Sequence, residues 1–118
     1  MPAAKFEDAL FDTRSDELTE KARKILDKAV MTLKADSDIM VRVEGHADER
    51  GTDQLNFELG MKRAVRALDY LANAGIKRGR MVAQSLGKTA PAVNEYTPEA
   101  WSRNRRVHIV PIPLVREK

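Results

Sequence analysis

Between Leu18 and Leu33 the apolar residues fall in a pattern that admits one local structure. Leu18, Ala22, Ile25, Leu26, Ala29, Val30 and Leu33 stand at i, i+4, i+7, i+8, i+11, i+12 and i+15, a single stripe of 3.6-residue period. Lys21, Lys24, Asp27, Lys28 and Lys34 take the opposite side. A helix striped this way must lay its apolar face on another layer. Ser15-Asp16-Glu17 marks its start, since acids suit the positive end of the helix dipole. A second stripe, Phe57, Met61, Ala64, Val65, Leu68, Leu71 and Ala72, predicts a second helix. Thr52 is its expected N-cap, and Gly75 supplies a left-handed position after its last turn.

Strand patterns fill the intervals. Ala9-Leu10-Phe11 is short and poorly alternating. Ile39–Glu44 sets Ile39, Val41 and Val43 against Met40, Arg42 and Glu44 before Gly45 stops it. Met81–Leu86 ends at Gly87-Lys88, and Val107–Val110 is the last strand, with Pro111 and Pro113 placing it at an edge or at its exit. Thr97 followed by Pro98 predicts a short helix over 98–104, with Trp101 as its core anchor. The order is β-α-β-α-β-(short α)-β, an α+β fold with two main helices on one face of a small mixed sheet.

Composition narrows the function classes. A chain of 118 residues makes one domain. No cysteine is present, which removes disulfides, thiolate metal sites and a cysteine nucleophile. No window approaches the roughly 18 apolar residues that cross a bilayer, and Met1-Pro2-Ala3-Ala4-Lys5 leads into no apolar signal core, so neither a membrane-inserted domain nor a targeting segment is expected. The formal charge of +3 invites nucleic acid, yet both signs alternate along most of the chain. The exception, Arg103-Asn104-Arg105-Arg106, has neither aromatic interleaving nor a recognisable module, so no nucleic-acid partner is expected.

The chemistry concentrates between the second strand and the second helix, in Gly45-His46-Ala47-Asp48-Glu49-Arg50-Gly51-Thr52. Asn56, Gly60 and Arg63 follow at i, i+4 and i+7, one strip of the helix. Glycine costs a helix interior about 1 kcal/mol against alanine, so something must approach the backbone at Gly60. Asp48 and Arg63 suit the two ends of a zwitterion, the acid taking an ammonium and the guanidinium fork a carboxylate. A structural ion pair or a solvated surface explains the same two residues. His46, Asp48 and Glu49 lack a third metal ligand at sensible spacing, so no metal, cofactor or hydrolytic site is expected, and His46 reads as a hydrogen-bonder that orders the loop. Gly51 and Gly60 match no phosphate-cradle spacing.

The run Gly45–Thr52, with Asn56, Leu59-Gly60, Arg63-Ala64, Leu71 and Gly75, resembles the OmpA-like C-terminal domain family. Gly87-Lys88, Pro91-Ala92-Val93 and Trp101–Arg106 bring it nearest to that family's peptidoglycan-associated lipoprotein branch. The resemblance runs from Phe11 to Val110, leaving residues 1–10 as a lead-in and 111–118 as a tail. It implies a non-enzymatic domain that binds the diaminopimelate residue of the peptidoglycan stem peptide and anchors an envelope protein to the cell wall. Asp48 and Arg63 would clasp the diaminopimelate, with Ala47, Asn56 and Leu59 shaping the pocket. It implies a periplasmic setting, attachment to the outer membrane or a membrane motor protein through a segment outside this chain, and a Tol-type envelope protein as a further partner. Asn104 and Arg105 would tether the last strand. One departure stands out: Thr13 and Arg14 occupy positions where the family usually carries an aromatic residue and an acid that help to cup the ligand. Either that leaves a protein-interaction domain of the same fold with weakened or lost wall binding, or a shifted alignment lets Phe11-Asp12 serve as the cupping pair.

Overall fold

A computed structural model describes residues 6–12, 14–47, 51–87 and 104–112. Its elements are β1 (Ala9–Leu10), α1 (Glu20–Ala35), β2 (Met40–His46), α2 (Asp53–Asn73), a 3-10 turn at Arg78–Arg80, β3 (Met81–Gly87) and β4 (Arg106–Ile112). The short helix expected over 98–104, and Trp101 within it, lie outside the described residues apart from Asn104, which is buried.

The first stripe packs as its period predicts, with Ala22, Leu26, Ala29, Val30 and Leu33 buried. The helix begins four residues later than the acidic triplet suggested. Thr19 is the N-cap, its hydroxyl accepting from the Ala22 N–H at 3.0 Å. Ser15 cannot start the helix because a long-range contact claims its carbonyl: Arg63 Nε donates to it at 2.9 Å. α2 closes as expected in a Schellman motif, where Ile76 N–H reaches Leu71 O at 3.1 Å and Gly75 N–H reaches Ala72 O at 3.0 Å. Gly75 has φ +109°, open to glycine at no steric cost, and Ile76 turns back into the core.

The four strands form one sheet in the order β1-β4-β2-β3. β2 and β3 run parallel across α2, while β4 is antiparallel to both β1 and β2. The last strand is therefore interior to the sheet, and Pro111 stands near its exit, the second of the two places that its prolines allowed. Pro111 is tolerated because β1 covers only Arg106 and Val107, so the far half of β4 has one strand neighbour among the described residues. Val41, Val43 and Gly45 stand in register with Met81, Ala83 and Ser85 on one side and with Pro111, Ile109 and Val107 on the other. This layer meets both helices, and the core lies between them.

The second stripe differs from expectation. α2 buries Asn56, Gly60, Arg63, Ala64, Ala67 and Leu71, whereas Phe57 and Val65 are 50% and 42% exposed. The inward face is the strip of Asn56, Gly60 and Arg63, rotated from the one that side-chain size predicted. Depth of approach is the reason. A Cβ on Gly45 would stand 1.7 Å from the Gly60 carbonyl oxygen, and one on Gly60 would stand 2.4 Å from Ser85 Oγ and 2.9 Å from the Gly45 carbonyl oxygen. Helix and strand touch backbone to backbone, leaving no room for Phe57 or Val65 beneath. The atom approaching Gly60 is thus the protein's own sheet. Gly45→Ala must push the helix off the sheet and is expected to cost about 3 kcal/mol. Gly60→Ala regains some helix propensity and should lose less, about 1–2 kcal/mol. Urea denaturation of both variants checks the sign and the order.

Candidate functional site

Of the predicted site residues, Ala47, Asn56, Leu59 and Arg63 lie at the C-terminal end of β2 and in the first half of α2. Arg63 organises them. It is fully buried, and its guanidinium donates to three backbone carbonyls: Ser15 O from Nε at 2.9 Å, His46 O from Nη1 at 2.9 Å and Asp12 O from Nη2 at 3.1 Å. Its Cζ lies 5.2 Å from the centre of the Phe11 ring, a cation–π contact. One side chain so joins α2, the end of β2 and the segment after β1. Five donors in a rigid plane make arginine suited to this, and its charge cannot be shed on burial as a lysine's can.

Around Arg63 the other residues take definite places. Ala47 is buried, its N–H donating to Gly87 O at 2.9 Å, which seats the start of the loop against the end of β3. Asn56 is also buried, with Nδ2 donating to Thr52 O at 2.9 Å and lying against Gly51. Leu59 is half-buried and Arg14 is exposed. Asp48 and Thr13 fall outside the described residues. Ser85, which sequence reading passed over, donates from its hydroxyl to Phe57 O at 2.6 Å and fastens β3 to α2. A cleft of about 510 Å³ opens beside this region, between β1 and the first turn of α1. Asp8, Lys21, Ile25 and Arg105 line it, and it shares Phe11 and Asp12 with the segment that Arg63 holds.

The basic run near the C-terminus is engaged within the fold. Arg105 Nε donates to Phe11 O at 2.9 Å while Phe11 N–H donates to Arg105 O at 2.8 Å, tying β1 to the start of β4. Arg106 is buried, with Nε 3.7 Å from Asp8 Oδ2. His108 Nδ1 lies 2.6 Å from Asp8 Oδ1.

His46 corrects an expectation. Its backbone carbonyl orders the site by accepting from Arg63, but its ring does not. The side chain is buried, and neither ring nitrogen has a hydrogen-bond partner among the described residues; the Glu44 carboxylate lies 3.8 Å from Nε2. Burial, reinforced by the charge of Arg106, pushes the imidazole from its ordinary 6.5 down to about 4. Between those two values the unfolded chain binds a proton that the folded chain refuses. Acidification across that window therefore removes stability, by about 3 kcal/mol, and the loss stops once the folded histidine also titrates. Urea unfolding followed from pH 7 to pH 4 should show this decline, and His46→Gln should lack that share of it.

Comparison with known proteins gives consistent findings. The OmpA family pattern matches residues 10–105. A peptidoglycan-associated lipoprotein of Agrobacterium fabrum is 38% identical over 96 residues, 81% of this chain and 54% of the relative. This chain thus spans about half the length of that relative. The crystal structure of the peptidoglycan-associated lipoprotein from Burkholderia pseudomallei superposes with a TM-score of 0.85 at 30% identity, covering 89% of each chain. The C-terminal domain of Helicobacter pylori MotB gives a TM-score of 0.84 at 20% identity over 92% of this chain and 85% of that one, a likeness of fold. Both share the two helices packed on an open mixed four-stranded sheet.

Proposed function

We infer from the fact that this chain belongs to the OmpA family that it binds bacterial peptidoglycan without turning it over, and so holds an envelope protein to the cell wall. The observation that carries this reading is the match, over most of the chain, to relatives named for their association with peptidoglycan. The ligand group is the diaminopimelate of the stem peptide. Asp48, directly after the buried Ala47, takes its ammonium, while Asn56 and Leu59 shape the pocket on the helix side. Arg63 acts from beneath. With its fork on three carbonyls, it supplies a fixed positive charge that draws the ligand's carboxylate and holds the surrounding segments in place. Thr13 and Arg14 complete the set, by their match to the family's ligand-cupping positions. A periplasmic setting, and anchorage through a segment outside this chain, follow from the same reading.

A second reading rests on the outward side of α2. Leu55, Phe57 and Val65 are 59%, 50% and 42% exposed, apolar surface that would suit an envelope protein partner of Tol type.

Isothermal titration with a diaminopimelate-containing muropeptide tests the wall-binding reading. Asp48→Ala should weaken binding at least tenfold, as expected where a charged hydrogen bond is lost. Arg63→Ala should weaken it further, with circular dichroism reporting whether the variant remains folded. Equal affinity in wild type and Asp48→Ala would overturn the site, and no binding by wild type would leave the partner-docking reading in its place.

A further inference from the structure

We propose that the outer edge of β3 and the adjoining flank of α2 form a docking surface for a second copy of this chain. The two copies pair β3 with β3 across a two-fold axis and close their α2 flanks on each other. Two independent features meet at this edge. β3 has one strand neighbour, β2, among the described residues, so over residues 81–85 alternate N–H and C=O groups face away from the sheet. Edge strands are ordinarily blunted by charge or proline; β3 carries neither, and Val82 on it is exposed. Beside it runs an apolar stripe of α2, Phe57, Met61, Val65 and Leu68 at i, i+4, i+8 and i+11. Its period predicts burial, yet Phe57 and Val65 stand exposed.

The fold puts that stripe on the β3 side. Tyr70 bonds Asp27 of α1 at 2.6 Å, and Arg66 meets Asp16 at 3.1 Å, so these two residues mark the flank of α2 that faces α1 and the segment before it. Helical period sets Phe57, Met61, Val65 and Leu68 on the opposite flank. Ser85 of β3 fastens the helix there through Phe57 O. α2 lies over β2 and β3, with Gly60 against Gly45 and Ser85. Paired strands stand about 4.8 Å apart, so joining two β3 edges would set the two helices about 10 Å apart, the ordinary distance of packed helices. One two-fold operation thereby pairs the edges and covers both stripes. Neither β3 nor the four stripe residues carry a charge, so no like charges among them meet across the axis. A lone extended peptide would satisfy the edge alone. Covering the stripe as well takes a partner that brings a strand and a helix at this spacing, and a second copy does so by symmetry.

Sedimentation equilibrium of the full chain is the test. The mass should rise from one copy towards two between roughly 1 μM and 1 mM, the range of a small interface. Val65→Glu should weaken association at least tenfold, because the dimer would bury an unpaired carboxylate. Met31→Glu, a change at an exposed apolar position of α1 away from this edge, should leave association unchanged. Amide exchange provides a second readout on the wild-type chain. Outward-facing amides among residues 81–85 should exchange more slowly at high concentration than at low, and Val65→Glu should remove that difference. A mass of one copy throughout overturns the proposal and leaves Phe57 and Val65 to a partner of another sequence. Association that Val65→Glu and Met31→Glu weaken alike overturns it too, as does association that leaves exchange at residues 81–85 unchanged.

Discussion

The backbone contact between Gly45 and Gly60 sets the depth at which α2 lies on the sheet, and the rest of the site follows from that depth. With no Cβ on either residue, the helix drops until the Gly60 carbonyl meets the strand. Close packing at one point fixes the neighbouring turns, since protein interiors leave no slack to absorb a shift. Ser85 secures the same level by bonding Phe57 O from the adjacent strand. One turn further along the helix, Arg63 then reaches His46 O at the end of β2. A helix standing one side chain higher would carry that guanidinium away from the strand end.

Arg63 turns this depth into a connected site. Burying a guanidinium is expensive unless its donors are satisfied, and here backbone carbonyls from two separate segments share that work. A second arginine repeats the device. Arg80 donates to Ile39 O at 3.0 Å, Leu33 O at 2.9 Å and Asp36 O at 2.7 Å, pinning the passage from α1 into β2. The two arginines thereby define connections that have no regular hydrogen-bonding pattern of their own. In a domain whose core is built largely from alanine, valine and leucine, such clasps supply specificity that packing alone would leave loose.

Charge on this chain is consequently more structural than its net value suggests. Arg63, Arg80 and Arg105 all spend donors on main-chain carbonyls, and Arg106 faces Asp8. Arg14 contrasts with them, an exposed guanidinium on a segment shaped by another arginine. His46 is the converse case, a neutral ring kept dry beside charged neighbours, which ties the folded state to pH in a way that the net charge does not reveal.

Local pattern carried much of the fold. The stripe of α1, the Thr52 cap, the Gly75 terminus and the positions of β2, β3 and β4 are short-range matters of period, capping and chain stiffness, all visible in one dimension. The requirement for a close approach at Gly60 was also legible, because glycine has no local reason to stand inside a helix. What approaches was not. Size-weighted periodicity turned Phe57 and Val65 inward, whereas the sheet selected the face with the least side chain. The start of α1 and the interior place of β4 likewise depended on partners far along the chain: Arg63 for Ser15, and β1 for Arg106. The same holds for the site. The sequence by itself determined which helix residues share a strip, through an asparagine, a glycine and an arginine at helical spacing. Only the tertiary structure decided that Arg63 lies beneath the surface with its fork on carbonyls, because hydrogen bonding across 48 residues is invisible to any local pattern.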